Sequence, residues 1–379
     1  MVSDLQERNQ KTKVLKIKDI LIIGIVVLLA GCSGDEIATG GGRDDKGFDP
    51  AGMPIQFSVG LEGKAQTRSG EVPLADNSRF VCTMYYHSKT SDDDASDYDL
   101  TTSKIHTAWL KISGDLGNAE YMNSDYSAED GSSLYWQNRL KHAFIAIADN
   151  NNLTSTTAQP IYNSSNADFT NVYNLTTGSS IAEQPDPILA LATEKPTGET
   201  AEENRVTLNF QHQFSQIQVN VKNAEGTNIT SDQVTKVELL GVSETGSVYT
   251  KLNADGTVDA PTASVVDLDI FNDEVLATNK WGTSFGMFVM TTTEGYLKSY
   301  NAIAFGTLRA IRVTWSDGTE HKATLEVQQT LASGKMYTYN LSILHPTAGT
   351  RGLLNNKSQT SELVLDGDVS ITNWPVKNR

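Results

Sequence analysis

Apolar side chains recur at every second position over many short stretches of this 379-residue chain, the period of strands that bury one face. Met53, Ile55, Phe57, Val59 and Leu61 make the first such stretch and predict an opening strand. Further strands are expected at 80–86, 105–112, 143–148 and 188–192, with loops at 91–99 and 150–158. The run 195–204 carries Pro, Gly and several Glu but no large apolar side chain, and reads as a domain boundary. Beyond it, Val206, Leu208 and Phe210 alternate in one phase and Ile217, Val219 and Val221 in the other. A bulge or bend near Phe214 accounts for the switch, because one inserted residue turns every later side chain to the opposite face. Strands at 234–242, 247–252 and 285–290 follow. Ile311, Val313 and Trp315 then lead through Ser316-Asp317-Gly318-Thr319 into Ala323, Leu325 and Val327, a hairpin with an Asp-Gly turn. Tyr337, Tyr339, Leu341 and Ile343 alternate again, and Leu363, Leu365, Val369 and Ile371 continue the pattern near the end. Helical periodicity is sustained nowhere, so the chain is expected to be all-β, two Greek-key sandwiches with at most short helices.

The first residues follow a different logic. Lys16 and Lys18 precede an apolar run, 20–30, that is too short to span a bilayer and reads as a signal peptide. Its end, Leu28-Leu29-Ala30-Gly31-Cys32, resembles a bacterial lipobox in which Cys32 receives the lipid. Residues 1–31 carry five basic and three acidic side chains, so their removal takes the net charge from −16 to −18. So acidic a chain, without a Lys/Arg cluster, is unsuited to phosphate backbones, and no nucleic-acid partner is expected. With Cys32 lipidated, Cys82 has no partner for a disulfide within the chain. The expected divisions are a signal peptide over 1–31, a flexible Gly-rich tether over 32–51, and sandwich domains over 52–202 and 203–379. Ser33-Gly34-Asp35-Glu36 resembles the surface-export signal of lipoproteins from gut and oral anaerobes.

Motifs for chemistry are scarce. The six histidines, His87, His106, His142, His212, His321 and His345, are scattered and lack metal-ligand spacing, so no metal or cofactor is expected. A Gly-x-Ser-x-Gly elbow and a phosphate-cradling loop are both missing, and no catalytic residue is assigned. Asp92-Asp93-Asp94 and the stretch 253–259 read as a solvated loop and a hairpin turn rather than calcium loops. Tyr85, Tyr86, Trp109, Trp136, Trp281, Trp315 and Trp374 read mainly as core. Arg68 falls in a polar, Gly-flanked stretch after the first strand, an exposed loop open to proteases.

The lipobox, the first alternating strand and Thr67-Arg68 together resemble the fimbrillin family of Gram-negative anaerobes. Leu134-Tyr135-Trp136 before Ala143-Phe144-Ile145-Ala146 is similar to the family's Trp and aromatic-Ala strands, without the Tyr and Pro that often end the latter. The stretch from Val206 through His212 and Phe214 to Val219 resembles its apolar strand, His and apolar turn, and Tyr337-Thr-Tyr339 and Trp374 are similar to its final strands. The resemblance implies two tandem transthyretin-like sandwiches and a type V pilus subunit of the outer membrane, anchored through Cys32. It also implies a trypsin-like processing protease cutting after Arg68, displacement of the strand Met53 to Leu61 from an edge, and replacement by a strand from a sister or other fimbrial subunit. Leu363, Leu365, Val369 and Ile371 are the candidate donor strand; completing their own sandwich is the equal alternative. A host or bacterial receptor is a further expected partner. The other reading is a monomeric surface lipoprotein that binds glycan or a host ligand. For His212 the expectation is a structural, hydrogen-bonded histidine.

Overall fold

The computed structural model describes residues 49–61, 72–74, 76–87, 103–113, 118–124, 126, 133–154, 170–223, 230–263, 284–318, 320–344, 362–365 and 369–374. Among them the alternating stretches lie in sheets, and the only helical pieces are the short 3-10 turns Asn150–Asn152 and Ser231–Gln233. The protein is all-β, as its periodicity predicts.

The first sheet has eight strands. In spatial order they are β2 (Val72–Pro73), β1 (Phe57–Leu61), β5 (Asn118–Met122), β4 (Ser103–Ser113), β3 (Arg79–His87), β6 (His142–Asp149), β8 (Pro187–Glu194) and β9 (Val206–His212). β1 also pairs in parallel with β9, so the sheet curls until its ends meet and its opposite walls enclose one core. Trp136, Phe80, Phe144, Leu208 and Phe210 are fully buried there. Cys82 lies in the same cluster, its thiol pushed far up by burial.

The second core lies between two further sheets. One runs β15 (Phe288–Met290), β16 (Lys298–Ala304), β10 (Ser215–Asn223), β19 (Lys335–Leu344), with β20 (Glu362–Leu365) and β21 (Ser370–Asn373) both paired along the far side of β19. The other runs β14 (Ser284–Gly286), β11 (Val234–Val242), β17 (Gly306–Trp315), β18 (Glu320–Thr330). Val219, Val237, Ile311 and Tyr339 meet between them. The stretch expected as one strand over 285–290 divides at buried Met287, where the chain leaves β11 and joins β16. The predicted β17–β18 hairpin is present, with Gly318 at φ 82° in its turn.

Three features depart from the simple tandem expectation. The run 195–204 is not where the sheets change over: it is the loop of the β8–β9 hairpin, closed by Asn204, whose side-chain oxygen accepts from the Thr197 and Gly198 amides. β9 therefore belongs to the first sheet, and the changeover falls at Gln213 and Phe214. The phase switch there marks the chain crossing from one sheet into another, which reverses the buried face as a bulge would. Finally, β7 (Thr170–Asn174), from the first half, pairs with β12 (Thr245–Tyr249) of the second, and β13 (Thr262–Ala263) completes a small third sheet. Buried Gln184 extends this interlock. Its Nε2 donates to the carbonyls of Leu175 and Ile303 at 2.7 and 3.2 Å, and its Oε1 accepts from Ile303 N at 2.7 Å.

His142, at the start of β6, is held neutral. Its Nδ1–H donates to the Leu140 carbonyl at 2.8 Å, and Nε2 accepts from the Gln137 amide at 3.2 Å, so a second proton would face a donor. Trp136, Tyr86 and Phe144 surround the ring, and burial pushes its pKa down from 6.5 to about 4. Between these values an unfolded chain binds the proton and the folded one does not, so stability should fall as pH drops from 6.5 towards 4. Asp149, raised by burial, acts in the opposite sense just above the ordinary carboxylate range. The check is the urea midpoint against pH for the parent and His142→Gln; equal slopes in this window would refute the assignment.

Candidate functional site

The opening strand is built to fill a slot. Residues 52–55 pair first with 134–136: Gly52 N donates to Trp136 O, Trp136 N to Met53 O and Ile55 N to Leu134 O, each at 2.9 Å. The chain then enters β1, whose five residues pair in parallel with Val206 to Phe210 of β9. Ile55, Phe57 and Val59 are buried, as their spacing predicts, while Met53 is half-buried and receives the Asn204 amide on its sulfur at 3.4 Å. Leu61 is placed by its backbone pairing alone; its side chain lies outside the described residues. Phe57 meets Phe144 edge-on at 5.7 Å and Tyr121 at 6.4 Å, and the Tyr121 hydroxyl donates to Ile55 O at 2.7 Å.

β1 is not the open edge expected of it, because it has neighbours on both sides. The two flanks differ greatly. Against the five-residue ladder with β9, the other flank has only Gly60↔Pro73 and Leu61↔Val72 with β2 and Ser58↔Asn118 with β5. Withdrawing β1 would thus open a slot floored by Phe144 and Trp136 and walled by the edge of β9, whose amides and carbonyls would then need a new strand.

The segment after β1 holds Arg68, and the chain before residue 49 holds Cys32; both lie outside the described residues, as does Arg43, a second arginine that a trypsin-like protease could take. Arg79, the arginine that follows Arg68, opens β3. Its guanidinium donates to the Thr154 carbonyl and lies 5.7 Å from the Tyr126 ring centroid, which ties it into the fold.

The C-terminal strand is the second pairing element. β20 pairs Leu363 with Ile343 and Leu365 with Leu341, and β21 pairs Ile371 with Tyr337 and Asn373 with Lys335, all antiparallel to β19. The two ladders take separate stretches of β19, Leu341–Leu344 for β20 and Lys335–Thr338 for β21. The side chains of Leu363 and Leu365 lie outside the described residues. Val369 packs against the second core, but Ile371, expected to alternate inward with it, is 51% exposed, and all four residues of β21 are exposed. What seats the end of the strand is the next residue, Trp374, which is buried.

Trp374 stacks on His212 with ring centroids 4.0 Å apart and planes within 10°. His212 Nδ1–H in turn donates to Asp186 Oδ1 at 2.8 Å, both residues being buried, and Asp186 Oδ2 accepts from Asn150 Nδ2 at 2.8 Å. The Trp374 amide donates to Gly334 O, and the Gly334 amide to Phe214 O, at the point where the chain crosses between sheets. His212 is thus the hydrogen-bonded structural residue its sequence context suggests. Its partners Asp186 and Trp374 were not foreseen, since they stand 26 and 162 residues away with no local pattern to join them.

These two strands, each held by backbone ladders and a few deep anchors, are the pairing elements of an all-β protein. The chain belongs to the fimbrillin-like family, whose model matches residues 73–374. Among solved structures it is similar to a protein of Bacteroides ovatus described as a cell adhesion protein, at 14% identity, covering 86% of this chain and 99% of that one with a TM-score of 0.50. It is also similar to one so described from Bacteroides uniformis, at 11% identity over 85% and 99% with a TM-score of 0.47. The tip fimbrial protein Mfa3 of Porphyromonas gingivalis matches at 10% identity over 84% and 100% with a TM-score of 0.35. No curated protein matches the chain.

Proposed function

We propose that this chain is a subunit of a surface fimbria, exported as a lipoprotein held at the outer membrane through Cys32 and assembled by exchange of strands. A protease cuts after Arg68, β1 leaves, and a strand from a neighbouring subunit enters the vacated slot. Membership of the fimbrillin-like family supports the fimbrial reading, and the relatives described as adhesion and tip fimbrial proteins are in keeping with it. The observation that carries the exchange is the asymmetry of β1: one full ladder with β9, a meagre flank on the other side, and a row of buried apolar side chains. Ile55, Phe57 and Val59 each contribute roughly 1.5–3 kcal/mol of burial, so the empty slot would hold a replacement firmly. The edge strands β20 and β21, on separate stretches of β19 and with Trp374 as a terminal anchor, are the candidate donor.

Surface material from expressing cells should begin at Ser69 on N-terminal sequencing and run as a ladder of detergent-resistant oligomers. Arg68→Ala should remain monomeric. A ladder from uncleaved Arg68→Ala, or oligomers that retain Met53, would overturn the exchange.

A further inference from the structure

The outer face of the first sheet carries a second feature unconnected with strand pairing. Residues 250–260 of the second half fold back onto this face and are pinned there. Leu252 is buried against Tyr85, Ala143 and Ile145, and the Tyr85 hydroxyl donates to Thr250 O at 3.0 Å. The turn is internally closed: Leu252 bridges Val258, Asn253 N donates to Thr257 O at 2.8 Å, and Gly256 takes φ 80°. Asp255 Oδ1 accepts from the Thr257 amide and hydroxyl, and Asp259 Oδ1 from Asn253 Nδ2 at 2.9 Å. This strut stands beside β8 and β9 and leaves an open cleft of about 520 Å³ between them.

That volume suits a ligand of one or two sugar rings. The chemistry of the lining narrows the class. Asn209 and Gln211 stand exposed on one side of β9, with Gln213 just past its end and donating Nε2 to Gln211 O at 2.9 Å, while Thr257 and Asp259 face them from the strut. Leu189, Leu191 and Val258 give apolar ground between the polar groups. The lining contains no Lys, Arg or His, and the chain carries a net charge of −16, so a phosphate, sulfate or uronate would find no counter-charge and general repulsion. Exposed amides, a carboxylate and aliphatic patches match vicinal hydroxyls and the C–H face of a pyranose.

We infer that this cleft binds a neutral, hydroxyl-rich ligand, the sugar unit of a surface polysaccharide. The site lies wholly within one subunit and uses neither β1 nor the C-terminal strand. It is therefore present whether or not the protein polymerises.

The test uses the full chain as uncleaved monomer. Methyl glycosides of glucose, galactose, mannose and N-acetylglucosamine are each presented at about 10 mM, where a millimolar site is occupied, and read by saturation-transfer NMR. At least one glycoside should receive transfer, and the exposed double variant Asn209→Ala with Gln211→Ala should weaken it about tenfold, the loss of two hydrogen bonds, at an unchanged melting temperature. Val289→Ala, a change at an exposed position on β15, should leave binding as it is. No transfer to any of the four, undiminished transfer in the double variant, or displacement of the glycoside by a heparin oligosaccharide would each overturn the inference.

Discussion

Replacing Trp374 with alanine should lower the unfolding free energy by about 3–5 kcal/mol, among the largest losses from any single side chain here, and should release the C-terminal strand first. The magnitude follows from the removal of a buried indole that is part of the second core and covers the His212 ring. The order of events follows from β21 itself. Its four side chains are exposed, its ladder lies on a sheet edge, and it pairs with Lys335–Thr338 while β20 pairs further along β19 with Leu341–Leu344. Without the indole, little beyond four backbone partners and the Lys335 Nζ contact to Asn373 at 2.6 Å holds it. The urea midpoint should fall with the slope unchanged, and amide exchange should quicken along Lys335 to Thr338 while β10 keeps its protection. Trp374→Phe should recover a part of the stability. If Trp374→Ala left β21 as well protected as in the parent, the indole would not be the anchor.

Phe57→Ala should cost a similar amount, about 3–5 kcal/mol, and should act at the other pairing element. The ring fills the first core edge-on to Phe144 and Tyr121, and the rigid walls of the closed sheet leave little scope for collapse around the gap. Because β1 has only a slight flank towards β2 and β5, the loss should appear as local loosening before global unfolding. Limited trypsin digestion should then convert Phe57→Ala to a product lacking residues 53–61 faster than the parent. Equal digestion rates alongside a lowered midpoint would place β1 firmly in the core and remove its special status as a detachable strand.

Much of the architecture was legible because a period of two survives in any sheet that has one wet face. The Val206, Leu208, Phe210 and Ile217, Val219, Val221 sets, the Asp-Gly hairpin and the Ile55, Phe57, Val59 row all took the buried faces expected of them. What stayed hidden was how the strands are shared among sheets. The 195–204 run looks like a linker because a hairpin loop and an interdomain tether share the same polar composition; only the pairing of Ile188 with His212 tells them apart. The switch of phase near Phe214 was visible, but a crossing between sheets and a bulge leave the same mark on sequence. β7 has mixed exposure, with Val172 66% exposed, so no alternation announced it, and its partner lies seventy-odd residues on. Ile371 misled because a strand on the sheet edge leaves it exposed although it keeps the spacing from Val369.

The shared sheet of β7 and β12 has one more consequence. A piece from each half completes the other, so the halves are not interchangeable modules: a second half borrowed from a distant relative would arrive without a matching edge for β7 or a partner for Gln184. Sequence drift in either half is thereby constrained by the other, and variation is free to accumulate chiefly at exposed side chains that neither half packs against, such as Val289.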